Sequence, residues 1–161
     1  RGKERPIKMI EPQSLKKALA GKKILVDTNI IIYLIDATPP YASLARQLFE
    51  LIERGDILAV FSIISIAEVM QGLIKRGDHR NAGEIRTYLL NFPNTACQDV
   101  TAEVLEQIGN DHRIHWSRLR TIDSLIIGSG LVNGVEKIVS NDAHFRSAIS
   151  GGLFFSFNGK S

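Results

Sequence analysis

The stretch Ile24-Leu25-Val26-Asp27-Thr28-Asn29 decides the fold class. Its three aliphatic residues do not alternate with polar ones, so both faces of the segment call for burial, as in a parallel strand covered on two sides. Ile57–Phe61 repeats the pattern, and Thr95–Gln98, Lys137–Ser140 and Leu153–Phe157 are the other strand segments. Between them apolar residues recur at helical spacing. Ile30–Ile35 runs helical until Thr38-Pro39-Pro40, and Leu44, Ala45, Leu48, Phe49, Leu51 and Ile52 mark a helix closed by Gly55. Ser62 introduces a helix that ends near Gly77, and Asp78 to about Leu90 forms another, stopped before Pro93. Further helices are expected from Thr101, over Thr121–Leu131 and over Asp142–Ile149. Strands separated by helices in this order predict an α/β protein, a three-layer α/β/α sandwich with a short, mainly parallel central sheet.

Ahead of this unit, residues 23–161, stands a basic arm, residues 1–22. Residues 1–13 contain two prolines and no sustained period, the pattern of a loose segment. Ser14 is placed to cap a short helix, Leu15–Ala20, which Gly21 ends. The 161 residues carry a net charge of +3, with pI near 9.1. Residues 1–23 hold eight Lys and Arg against two Glu, whereas the rest holds twelve basic residues against fifteen acidic ones. The basicity therefore belongs to the arm, and the body is mildly acidic. Met9 is an expected native start, and a chain beginning there is formally neutral. At 44% hydrophobic and 23% charged, the composition excludes a disordered tail, a collagen-like repeat and a membrane-spanning bundle. The longest nearly apolar run, Ile57 to Ala67, is interrupted by Ser62 and Ser65 and is shorter than the roughly 18 residues a spanning helix needs. The lone Cys97 cannot form an internal disulfide, and no signal-peptide pattern opens the chain, so a cytoplasmic location is expected.

The acids are more informative than the net charge. In open parallel sheets the binding crevice lies outside the carboxyl ends of the strands. Asp27 directly follows Ile24-Leu25-Val26, and Asp142 follows Lys137–Ser140 in the same manner. Glu68 stands about two turns into the helix after the second strand, near enough to face back to that edge. Asp123 falls in the first turn of a helix, where only the fold decides its position. Asp27, Glu68 and Asp123 are each embedded in apolar sequence, and no Lys or Arg is locally placed to pair with Asp27 or Glu68. Such acids are costly unless paired or bound to a cation. Converging carboxylates repel, a divalent ion relieves them, and all-oxygen ligands favour Mg²⁺ or Mn²⁺ over zinc. Asp27, Asp123 and Asp142 also each suit a helix cap. Glu68, in mid-helix, has no such explanation.

Four motifs stand in order: Ile24-Leu25-Val26-Asp27-Thr28-Asn29, Ser65-Ile66-Ala67-Glu68, Asp123-Ser124-Leu125-Ile126 and Val139-Ser140-Asn141-Asp142-Ala143-His144-Phe145. Over about residues 23 to 157 the chain resembles the PIN-domain ribonucleases, in particular the VapC-type toxins of prokaryotic toxin–antitoxin pairs. The resemblance implies metal-dependent endonucleolytic hydrolysis of RNA. It makes Asp27, Glu68, Asp123 and Asp142 the catalytic, Mg²⁺- or Mn²⁺-binding quartet, with Thr28, Asn29, Ser140 and Asn141 as supporting polar residues. Ser140 stands where Thr is more usual. Gly128, Ser129 and Gly130 stand where small residues follow the third acid, permitting close helix packing although glycines weaken a helix. The resemblance further implies a cognate antitoxin, a homodimer and no membrane association.

The remaining features divide between function and solvation. Arg113, Arg118 and Arg120 precede Asp123, and Lys75, Arg76 and Arg80 follow the Glu68 helix. Each group suits either RNA phosphates, which carry affinity without sequence choice, or a solvated face. Trp116 suits base stacking, a partner subunit or the core. His112 and His115 lie at helical spacing without the further ligands zinc needs, and His144 reads as a surface residue. The Leu44–Ile52 stripe reads as core. Two competing identities remain: a catalytically idle relative that binds RNA or protein, against which the intact quartet counts, and a phosphate-handling α/β domain such as a dehalogenase-type phosphatase or a signalling receiver. Asp27-Thr28-Asn29 lacks the second acid that a phosphatase wants after its first strand, and a receiver wants paired acids there and a late-strand Lys.

Overall fold

Five strands form one sheet: β1 (Lys23–Val26), β2 (Leu58–Ser62), β3 (Thr95–Gln98), β4 (Lys137–Val139) and β5 (Phe154–Phe155). In the computed structural model, which describes residues 8–159, they pair in the order β3-β2-β1-β4-β5, parallel at every step. The expected sheet was mainly parallel; the observed one is wholly so. Successive strand residues point to opposite faces, and burial follows that alternation. Ile24 and Val26 of β1, Ala59 and Phe61 of β2 and Val139 of β4 enter one core cluster. Leu25, Val60 and Ile138, their immediate neighbours, enter the other. The first cluster is covered by α1 (Pro12–Leu19), α2 (Thr28–Ile35), α3 (Ala42–Glu53), α4 (Ile63–Lys75) and α5 (His79–Leu90). Beyond α6 (Ala102–Gln107), the second is covered by α7 (Thr121–Val132) and α8 (Ala143–Ala148). The three layers follow from the apolar runs, and the Leu44–Ile52 stripe is core, as expected.

The chain steps outward from β1 to β2 and β3, then returns to the other side of β1 for β4 and β5. The carboxyl ends of β1 and β4 therefore flank the point where the strand order reverses, which is where open α/β sheets bind ligands. Helix α7 reaches that edge because it lies very close to the sheet. A Cβ at Gly130 would come within 2.9 Å of Leu25 Cβ, and one at Gly128 within 3.0 Å of the Val104 carbonyl. The small residues after Asp123 thus set the spacing of the layer that carries it.

Several expectations are corrected. Helix α1 starts at Pro12, not Leu15, because proline suits a first helical position whose N–H has no partner; Ser14 lies inside the helix instead of capping it. The arm's first seven residues lie outside the described residues. The remainder is docked, not loose: Leu15 and Leu19, four apart, are fully buried, and the Ile10 N–H donates to the Phe157 carbonyl at 2.9 Å. Strand β5 contracts to two residues from the expected Leu153–Phe157. His112 and His115 lie in an irregular segment before a 3₁₀ turn, Trp116–Arg118, so their helical spacing does not exist in space. Trp116 packs against the second cluster, and its indole N–H donates to the Asp111 carbonyl at 3.1 Å. Among the described residues no helix is long and apolar enough to cross a membrane.

Candidate active site

Asp27 is the first residue beyond β1, and its backbone N–H extends the ladder to the Val139 carbonyl at 3.0 Å. Its carboxylate caps α2: Oδ1 accepts from the Thr28 N–H at 2.8 Å, and Oδ2 from the Ser140 hydroxyl at 2.6 Å. The residue is only 5% exposed. Burial pushes its pKa up to about 7; the bonds from Ser140 and Thr28 pull the other way, and the charges of Asp142 and Glu68 add to the rise. This acid has several hydrogen bonds and no positive partner.

Ser140 organises the β4 side. Fully buried, it donates to Asp27 and accepts from the Asp142 N–H at 3.0 Å and from Asn29 Nδ2 at 3.4 Å. Asp142 caps α8, its Oδ1 accepting from the N–H groups of His144 at 2.7 Å and Phe145 at 3.2 Å. Capping and cleft lining are therefore combined at Asp27 and Asp142; the two readings of these acids do not compete. Ser62 ends β2 and caps α4, which projects Glu68 from its second turn. The Thr28 hydroxyl donates to Glu68 Oε1 at 2.7 Å and lies 3.0 Å from Ser65 Oγ. Ser65, buried on the same helix face one turn earlier, opens the second motif without an expected site role; its i,i+3 relation to Glu68 was the available signal.

Asp123, also 5% exposed, sits in the first turn of α7 without capping it. Its oxygens accept from Arg120 Nε at 3.1 Å and Nη2 at 3.4 Å. All four acids, with Thr28, Asn29 and Arg120, line one cleft of about 160 Å³ bounded by Ile32 and Ile126.

The other expected site residues lie elsewhere. Asn141 faces away from the cleft: its Oδ1 accepts from the Ser156 hydroxyl at 2.7 Å and the Phe157 N–H at 2.8 Å, tying β4 to the C-terminal segment. Arg113 is held by Asp111, and Arg118 donates to the Ser147 carbonyl; of the three arginines only Arg120 lines the cleft. Arg76 forks onto Asp36 and Arg80 pairs with Glu84, both away from the acids. The His144 side chain is exposed.

The four carboxylates and the Thr28 hydroxyl are oxygen donors of the kind that suits a hard divalent cation. The rise at Asp27 comes first from burial, and the neighbouring charges of Asp142 and Glu68 add to it. As the side chains stand, no three His, Cys, Asp or Glu groups among the described residues close into a metal-holding cluster. Glu68 is turned to the Thr28 hydroxyl and Asp123 to Arg120.

A family model described as PIN domain matches residues 24–149. No curated protein matches the chain significantly. Among solved structures, a chain of a DNA-bound VapBC complex from Salmonella typhimurium is similar with a TM-score of 0.63 at 18% identity, covering 84% of this chain and 98% of that one. VapBC from Rickettsia felis bound to a promoter DNA fragment gives 0.62 at 18% identity, covering 83% and 98%. A Mycobacterium tuberculosis VapC toxin described as cleaving the sarcin–ricin loop gives 0.59 at 20% identity, covering 77% and 93%. At these identities the likeness is one of fold.

Proposed function

This chain belongs to the PIN domain family, and from that premise we propose that it is a Mg²⁺- or Mn²⁺-dependent endoribonuclease, the toxin of a toxin–antitoxin pair. The observation that carries the reading is the convergence of Asp27, Glu68, Asp123 and Asp142, from four separate elements, on one cleft at the strand-order reversal. The similar structures support the biological setting: one is described as an RNA-loop-cleaving toxin and two are VapBC complexes. On this reading the substrate is RNA, the partner is an antitoxin, the toxin is a cytoplasmic homodimer, and the four acids are the metal ligands.

Asp27, Glu68, Asp123 and Asp142 would hold the ion, which when bound would supply Lewis-acid polarisation of the phosphate and an activated water. The chain's own part is to hold the oxygens in place. Ser140 and the Thr28 N–H fix both oxygens of Asp27 at the cleft. The first-turn N–H groups of α8 fix Asp142, and Thr28 positions Glu68. Ile32 and Ile126 give the cleft apolar walls, which strengthen every charge interaction inside it.

The test is incubation of mixed cellular RNA with the purified chain and its Asp27→Asn variant, in Mg²⁺ or in EDTA. Cleavage in Mg²⁺, its loss in EDTA and a loss of about 100-fold or more in the variant are expected. Cleavage indifferent to both EDTA and the substitution overturns the proposal.

A further inference from the structure

Arg120 is the one basic side chain among the described residues that lines the acidic cleft. It stands at the N-cap of α7, where its own side chain caps nothing, and turns back to fork onto both oxygens of Asp123. The two partners differ sharply in exposure: 74% for the Arg120 side chain and 7% for that of Asp123. The guanidinium thus closes over a buried acid from the solvent side. It sits in the field of the whole cluster: the bond and charge of Asp123 raise its pKa first, and Asp142 and Glu68 add to the rise.

This placement sets up a competition. A divalent cation entering the cleft meets a fixed positive charge, and if it shares the Asp123 carboxylate with the fork the two cations are brought close enough to repel. An ion pair with one exposed partner is screened and readily exchanged. Once displaced, a guanidinium at the mouth of the cleft carries the planar donor fork that matches a phosphate. Arg113 and Arg118 bond to Asp111 and to the Ser147 carbonyl and do not line the cleft.

We infer that Arg120 is an exchangeable counter-ion of the cleft, clamping Asp123 until a divalent cation takes that carboxylate and then turning its fork to a phosphate of the RNA. The inference rests on the proposed nuclease function. It makes Arg120 an inhibitor of metal loading and an aid to substrate binding at once, a combination that neither a solvated arginine nor a purely structural one produces.

Mn²⁺ binding without RNA, followed through the electron paramagnetic resonance signal of the free ion, tests it on the wild type, Arg120→Gln, Arg120→Lys and the double variant Arg120→Gln/Asp123→Asn. Arg120→Gln is expected to bind Mn²⁺ about two- to fivefold more tightly than the wild type. Arg120→Lys falls between the two, and the gain disappears when Asp123→Asn is added. At saturating Mn²⁺, Arg120→Gln is expected to raise KM for RNA about tenfold with a much smaller change in kcat. Equal or weaker Mn²⁺ affinity in Arg120→Gln, beside a wild type that binds, overturns the counter-ion and leaves the nuclease standing. An unchanged KM overturns the transfer to phosphate. Mn²⁺ binding absent from every protein overturns the nuclease proposal and this inference with it.

Discussion

The two ends of β1 handle charge in opposite ways. At the amino end the groups are hydrogen-bonded close to water: the Lys23 backbone N–H donates to Glu136 Oε2 at 3.1 Å and its ammonium to the Asn133 carbonyl at 3.2 Å, with Glu136 exposed. At the carboxyl end, four residues further on, Asp27 is buried beside other acids, and its pKa is pushed up to about 7. One short strand therefore ends in a partly solvated, hydrogen-bonded turn on one side and a buried acidic site on the other. The difference marks where selection for a stable fold gave way to another requirement, the usual sign of a working site.

The largest expected effect breaks this contrast by removing the strained charge. The folded pKa of Asp27 lies above its unfolded value of 3.8. Between about pH 4 and pH 7 the native state therefore keeps a proton that the unfolded chain has released, and stability falls as pH rises, by at most about 1.4 kcal/mol per pH step. Asp27→Asn removes that slope. Urea unfolding is expected to show the variant roughly 2–4 kcal/mol more stable than the wild type at pH 8 and equal to it near pH 4.

A smaller effect is expected in the layer that presents Asp123 at the carboxyl end. Alanine at position 130 gains roughly 1 kcal/mol of helix propensity. Its Cβ, however, meets Leu25 at 2.9 Å, tighter than packed atoms tolerate. Gly130→Ala is expected to destabilise by about 1–3 kcal/mol net in the same assay. The smallest effect belongs to the amino end: Glu136→Gln is expected to change stability by less than about 0.5 kcal/mol and to leave RNA cleavage unaltered.

What was legible in the sequence follows the range of the forces involved. The strands were readable because runs such as Ile24-Leu25-Val26 admit no solvated face, and Ser62 and Thr101 announced their helices as local caps. Asp27, Glu68 and Asp142 could be placed at one edge because each follows a strand within a few residues. Asp123 could not, since its arrival depends on the return of the chain past β1 and on the close approach at Gly128 and Gly130. The His112–His115 spacing misled because periodicity carries no meaning where the backbone is not helical. Asn141 sits beside an acid in sequence, yet Ser156 and Phe157 hold it on the other side of β4. The Arg120 fork needed coordinates, because a side chain three residues from an acid is equally free to face water.

The central claim is that the carboxyl end of β1 is built for a divalent cation, and thermal unfolding at pH 8 with increasing Mn²⁺ tests it most directly. An ion that binds only the native state must stabilise it by mass action. The account predicts that the wild-type Tm climbs by several degrees, at about 2–4 °C per kcal/mol for a domain of this size, and that Asp27→Asn shows no such climb. A wild-type Tm that ignores Mn²⁺, or a climb shared in full by Asp27→Asn, contradicts it.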